Sequence, residues 1–263
     1  MPAHSFTSAS QADYDSLPSI GDLVEQDSLE YLFPPLALLI QAGSLEMRLL
    51  READMPVYAA LLRQPIFDEG VEFASFPWYT PDPDERVRQA FQFQWRQRAQ
   101  FRADEWELPF GVFWQGSLVG MQSVLSKNFA ITRRVETGSW LTRDFHRQGI
   151  GTLMRTAMLV FAFQHLGAAR AESSAVRGNL PSLGVSRKAG YAWNGTEVAV
   201  IDGERVELQR VVVTPDSAVV PHTPVRVSGM TRELMELLGA AAPASADCCL
   251  LYTSDAADDI ALV

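Results

Sequence analysis

The chain has 263 residues, 47% hydrophobic and 21% charged, enough to bury a core in one large domain or one medium domain with extensions. Its formal net charge of −10 argues against nucleic acid as a partner, which would call for a basic face. The longest apolar run, residues 36–40, is far short of a membrane span, so no membrane association is expected.

Two adjacent cysteines, Cys248 and Cys249, provide no disulfide framework. Four scattered histidines (His4, His146, His165, His222) form no metal-ligand pattern, and no metal is expected. The N-terminal residues lack a basic region followed by an apolar core, so the expected compartment is the cytoplasm.

Residues 1–30 are polar, acidic and aperiodic, and read as a flexible leader. An apolar approach segment at 31–40, broken by Pro34 and Pro35, leads into a strand at 45–50. A short helix to about Leu62 follows, with Asp54 as N-cap and Pro56 in its first turn. The stretch 65–83 carries four prolines, several aromatics and Asp68, Glu69 and Glu72; it is either a substrate-facing loop or a cover on the core. An amphipathic helix is predicted at 84–103, with Val87, Phe91 and Trp95 facing inward.

A hairpin follows at 108–114 and 118–125, turning at Gln115-Gly116-Ser117. Next come a strand at 136–141, a long apolar helix at 152–166 stopped by Gly167, and a strand at 168–175. A helix runs from Asn179 to Gly190, and strands at 191–193 and 206–213 are joined through Asn194-Gly195 and Asp202-Gly203 turns. A break at 215–224 precedes a strand fragment and short helix by Leu238. This order gives one α+β domain, residues 31–239, with a mixed sheet. The tail 240–263 resembles a translated sequencing adapter and is expected to be disordered and artefactual.

The chemistry concentrates where the 136–141 strand runs through a basic turn into a glycine-punctuated helix start, Arg147-Gln148-Gly149-Ile150-Gly151-Thr152. Free N–H groups and the positive end of the helix dipole make such a turn an anion site. No lysine follows Gly151, which removes a Walker A loop. Residue 154 is Met where a dinucleotide fingerprint needs its third glycine.

His146-Arg147-Gln148-Gly149-Ile150-Gly151 resembles the (Q/R)-x-x-G-x-(G/A) acyl-CoA motif of the GNAT N-acetyltransferases. Asn179, Ser182, Val185, Lys188, Gly190 and Tyr191 are similar to the N-x-x-S-x-x-V-x-x-K-x-G-[FY] block of the RimJ/RimL-like branch. Glu136-Thr137-Gly138-Ser139-Trp140-Leu141 resembles that branch's E-I-G-Y-W-L strand, and Arg51 to Asp54 its opening. The likeness covers about residues 36–215 in the family's order.

The resemblance implies a single GNAT-like domain, a mixed, mostly antiparallel sheet flanked by helices. It also implies acetyl-CoA as cosubstrate. Pyrophosphate would sit on the loop from His146 through Arg147, Gln148, Gly149, Ile150 and Gly151 to Thr152. Pantetheine would lie along main-chain groups of Ser139, Trp140 and Leu141, with Asn179 and Ser182 beside it.

Direct acetyl transfer to a primary amine needs a base, an oxyanion donor and an acid for the leaving thiol. A main-chain N–H near Leu141 is the expected oxyanion donor. Glu136 is the expected base, acting through a water, with Glu172 its rival. Ser186 stands where many relatives carry the acidic tyrosine. The acceptor would be a protein N-terminus or an amine-bearing small molecule, and a homodimer is an open assembly state. A non-catalytic acyl-CoA-binding module is the alternative reading.

Overall fold

The computed structural model of the chain describes residues 6, 10–66, 79, 82–201 and 203–241. In chain order, α1 (Gln11–Asp15) and α2 (Leu29–Leu32) precede β1 (Leu39–Ala42) and β2 (Leu45–Leu49). Then follow α3 (Met55–Leu62), α4 (Pro83–Ala99) and the hairpin of β3 (Glu105–Trp114) and β4 (Ser117–Lys127). Next come α5 (Phe129–Thr132), β5 (Arg134–Leu141), α6 (Ile150–Val160), β6 (Arg170–Val176) and α7 (Leu180–Lys188). The hairpin of β7 (Ala192–Ile201) and β8 (Glu204–Val213), then β9 (Val225–Ser228) and α8 (Arg232–Leu237), follow among the described residues.

Among the described residues, nine strands make one sheet, ordered β7-β8-β6-β5-β4-β3-β2-β1-β9. All neighbours are antiparallel except β5 and β6. The α+β class and the mostly antiparallel mixed sheet are therefore as the sequence implied.

The period-2 pattern of the strands supplies both faces of the core. One face, with Ile40, Met47, Phe110, Val124 and Val135, packs under α6 and the π-helical turn Phe161–His165. Phe110 meets Phe161 edge-on at 6.1 Å. The other face, with Met121 and Trp140, is covered by α3 and α4 through Tyr58, Leu62 and Ala90.

Helix α4 starts where Asp82 Oδ1 accepts from the Glu85 N–H at 2.7 Å, and Pro83 occupies its first turn. It ends at Ala99 rather than 103; Val87 and Phe91 pack against the core as expected, but the most buried positions are others. Arg86, Ala90 and Gln94 are buried, while Trp95 is 48% exposed. The polar members are accommodated because Arg86 Nη1 donates to Leu62 O at 2.9 Å and Gln94 hydrogen-bonds Tyr58.

Three further expectations change. Residues 10–30 are folded: Ser10 and Asp13 form a capping box on α1, and Glu233 of α8 accepts from the Ser19 hydroxyl and the Ile20 N–H. Phe6 is buried against Phe163, so the described part of the leader belongs to the core. The Asn194-Gly195 pair is not a turn. β7 continues through it with a bulge between Trp193 and Thr196, and Gly195 takes φ 92°. Finally, β1 forms a strand inside the expected approach segment and pairs with the expected strand fragment, β9, with Trp106 Nε1 donating to Leu238 O at 3.0 Å to hold the C-terminal segment.

The acidic residues Asp68, Glu69 and Glu72 and the tail 242–263 lie outside the described residues. Among the described residues, no helix is long and apolar enough to cross a membrane.

Candidate active site

Strands β5 and β6 pair only from Arg134↔Arg170 to Glu136↔Glu172. Beyond that point β5 stays with β4 and β6 with β8, so a wedge opens between two formally adjacent strands. The Thr142 N–H donates to Val119 O at 2.9 Å. By antiparallel alternation, the main-chain groups of Thr137, Ser139 and Leu141 face the wedge, while those of Trp140 turn to Met121. Ser173 Oγ accordingly donates to Thr137 O at 2.7 Å across the narrow end. At the wide end the His146 ring donates through Nε2 to Leu141 O at 2.9 Å; a carbonyl only accepts, so that nitrogen carries the proton.

The loop into α6 closes the wide end. Arg147 at φ 59° and Gly149 at φ 83° turn the chain, and Gly149 caps α6 without a side-chain bond. Among the described residues, no main-chain carbonyl accepts from the N–H groups of Gln148, Gly149, Ile150 or Gly151. A Cβ built on Gly149 would have nothing within 4 Å, so the space before these donors is open.

The loop side chains serve structure. Gln148 Nε2 donates to Asp144 O at 2.7 Å, Ile150 is buried in the core, and the Thr152 N–H donates to Gly149 O at 3.1 Å. On the facing helix, Asn179 caps α7 by accepting from the Ser182 N–H at 3.2 Å. Ser186, buried on the next turn, donates to Ser182 O at 3.1 Å.

Arg155 of α6 reaches into the narrow end of the wedge and is only 2% exposed. Its Nη2 donates to Ser139 Oγ at 2.9 Å, and its Nη1 to Ser173 Oγ at 3.4 Å and Ser186 Oγ at 3.5 Å. Among the described residues its Nε has no hydrogen-bond partner, and neither does Oε1 of the buried Gln122, which pairs with Ser139 in the sheet. Sequence reasoning passed over Arg155. The available signal was a single charge inside the apolar run Leu153 to Val160.

The carboxylates stand on the opposite face. Glu136 is exposed and ion-paired with Arg134. Glu172 is 3% exposed and held by Arg170 at 2.9 Å, Arg210 at 2.8 Å and Arg134 at 3.2 Å. Three guanidiniums thus occupy its carboxylate, so the rival base has a structural setting.

Register adds a third acid that the sequence reading missed. Glu107 on β3 pairs with Leu125, which pairs with Glu136, so both glutamates rise from one face. Burial pushes the Glu107 carboxyl up, and a Ser123 hydrogen bond partly offsets this. Its signal was a glutamate between Trp106 and Leu108, at the start of an apolar run to Trp114. Glu107 and Glu136 both line an open cleft of about 630 Å³ between α4 and strands β3 to β5, with Gln97, Phe101 and Arg102. Glu136 thus lies on the cleft side of the sheet, Ser139 and Ser186 on the α6 side. Among the described residues, no cluster of three or more His, Cys, Asp or Glu could hold a metal.

The family model described as "Acetyltransferase (GNAT) domain" matches residues 44–192. YdaF of Bacillus subtilis (strain 168), by name a candidate ribosomal N-acetyltransferase, is 28% identical over 115 residues, 44% of this chain and 61% of that protein. The chain thus spans about three fifths of the length of that curated relative. RimJ of Mycobacterium smegmatis, solved with a CoA disulfide, aligns with a TM-score of 0.54 at 19% identity, covering 69% of this chain and 88% of that one. RimL, a ribosomal-protein α-N-acetyltransferase solved with coenzyme A, aligns with a TM-score of 0.53 at 17% identity, covering 68% and 99%. At these identities the two structures speak for the fold.

Proposed function

Since the chain belongs to the GNAT acetyltransferase family, RimJ/RimL-like branch, we propose that it moves an acetyl group from acetyl-CoA to a primary amine by direct attack. The observation that carries this reading is the wedge between β5 and β6, ending at a glycine-capped helix with free N–H groups. The residues fit the cosubstrate. The N–H groups from Gln148 to Gly151 suit a pyrophosphate, and the wedge-facing main chain of Ser139 and Leu141 offers a strand edge to the pantetheine amides. Asn179 and Ser182, joined at the start of α7, would flank the pantetheine from that helix.

Acetyl-CoA supplies the thioester; the chain supplies position and charge. A wedge-facing main-chain N–H of β5 is the oxyanion donor. Glu136, on the cleft side, takes the amine proton through a water, while Glu172 holds the strands through its arginines. Ser186 spends its hydroxyl proton on Ser182 O, which suits it poorly to act as the acid.

The acceptor we favour is the α-amine of a protein N-terminus. YdaF and RimL are named for ribosomal N-acetylation, and the cleft is open, with Glu105, Glu107 and Glu136 among its lining residues beside Arg102, Lys127 and Arg134. The test is calorimetric titration with coenzyme A, followed by thiol release with N-terminal peptides and with small polyamines. Binding with peptide-dependent release is expected. Release with small amines only would redirect the acceptor, and binding without release on any amine would favour an acyl-CoA-binding module.

A further inference from the structure

Arg155 is the only charged residue of α6, on a span that is otherwise core. Taking a guanidinium out of water costs several kcal/mol unless an opposite charge accompanies it. Among the described residues Arg155 makes no ion pair: its partners are three hydroxyls, and the Tyr191 ring lies 5.6 Å away. Those hydroxyls come from β5, β6 and α7, the elements bounding the wedge, just past its last paired residues. Together with the unpartnered Nε, and Gln122 Oε1 beside Ser139, the site is built for a polar group it does not itself contain.

The chemistry of that group follows from depth. Arg155 lies five residues into the helix from Ile150, about 7.5 Å along the axis at about 1.5 Å per residue. A pyrophosphate on the loop does not reach it. Further along coenzyme A, the pantetheine arm carries neutral amides and ends in one ionisable group, the thiol.

We propose that Arg155 is the counter-charge for that sulfur, a catalytic residue that stabilises the coenzyme A thiolate; this rests on the acetyl-CoA reading above. As the amine nitrogen bonds to the acyl carbon, the carbon–sulfur bond breaks and its electron pair stays on sulfur. The amine proton leaves through Glu136 and water. The thiolate, facing the guanidinium, needs no proton at the moment of cleavage and takes one later from solvent. An arginine cannot itself be the acid, because its proton is held too tightly. Arg155 therefore answers the want of an acid at Ser186 by charge rather than by proton transfer.

The test reads the thiol of bound coenzyme A directly, by thiolate absorbance against pH, with Cys248→Ser and Cys249→Ser in the background and calorimetry to establish occupancy. The bound thiol is expected to ionise at least one pH unit below the free coenzyme, about a tenfold change in acid constant. Arg155→Met should abolish that shift while Arg155→Lys keeps part of it. Coenzyme A that binds with an unshifted thiol overturns the role and leaves the acetyltransferase reading standing; this wild-type result decides even if Arg155→Met does not fold. An unshifted thiol together with an Arg155-dependent preference for succinyl-CoA over acetyl-CoA would assign the guanidinium to an acyl carboxylate instead. No binding of coenzyme A overturns both readings.

Discussion

Glu136 stands directly across from Glu172 at the last pair that β5 and β6 share, and both side chains rise from the same face of the sheet. Arg134 contacts the two together, and Arg170 and Arg210 complete the clamp on Glu172. The wedge therefore begins at a charged rivet, and the two carboxylates at that rivet have separate consequences.

Replacing Glu172 by Gln leaves three guanidiniums facing one another without their carboxylate. Their partial exposure softens the loss, so the expected destabilisation is about 2 kcal/mol, below the roughly 3–5 kcal/mol of a fully buried pair. Chemical denaturation measures it. A stability unchanged from wild type would show that the clamp contributes nothing.

Glu136→Gln keeps the strand and removes the proposed base. Turnover should fall by about 100-fold, at the low end for general-base catalysis, while the affinity for coenzyme A stays within error. Steady-state kinetics beside calorimetry separates the two; undiminished turnover would move the role to Glu107.

Glu107 carries a pH signature. Its carboxyl is raised above its ordinary 4.5 by burial, so the folded state holds the proton to higher pH than the unfolded chain. Stability present at low pH is then lost as the pH rises through the raised value. Glu107→Gln should melt higher than wild type at neutral pH, with the difference vanishing below about pH 4. Melting curves across pH would show it, and equal melting temperatures at neutral pH would contradict it.

Two glycines test the frame. A Cβ on Gly120 would fall 2.2 Å from Trp140 O, so Gly120→Ala should force β4 from β5 and cost about 1–3 kcal/mol with weakened coenzyme A binding. Gly149 has open space but φ 83°, so Gly149→Ala should cost about 1–2 kcal/mol for the left-handed backbone. It should also weaken coenzyme A roughly tenfold. Denaturation with parallel calorimetry distinguishes crowding at the first from backbone strain at the second.

Local chemistry was legible in the sequence and pairings across the sheet were not. The glycine turn, the Asn179 cap and the alternation of β5 depend on neighbours in the chain, so the loop and strand stand where their residues indicated. Glu107 meets the site only through strand register, and Arg155 only through packing of α6 on β6 and α7; no window of sequence holds either relation. The inward face of α4 was legible at Val87 and Phe91 but not at Arg86 and Gln94, which find partners in Leu62 and Tyr58 that periodicity does not reveal. Ser10, Ser28 and a lone Phe6 were enough to fold part of a segment whose composition read as a leader.

A crystal structure with coenzyme A bound tests the central claim most directly. The account predicts pyrophosphate on the N–H groups of Gln148 to Gly151, pantetheine in the wedge along Ser139 and Leu141, and Glu136 facing the thiol end from the cleft side. Coenzyme A seated elsewhere, with β5 and β6 still parted around an empty wedge, would contradict it.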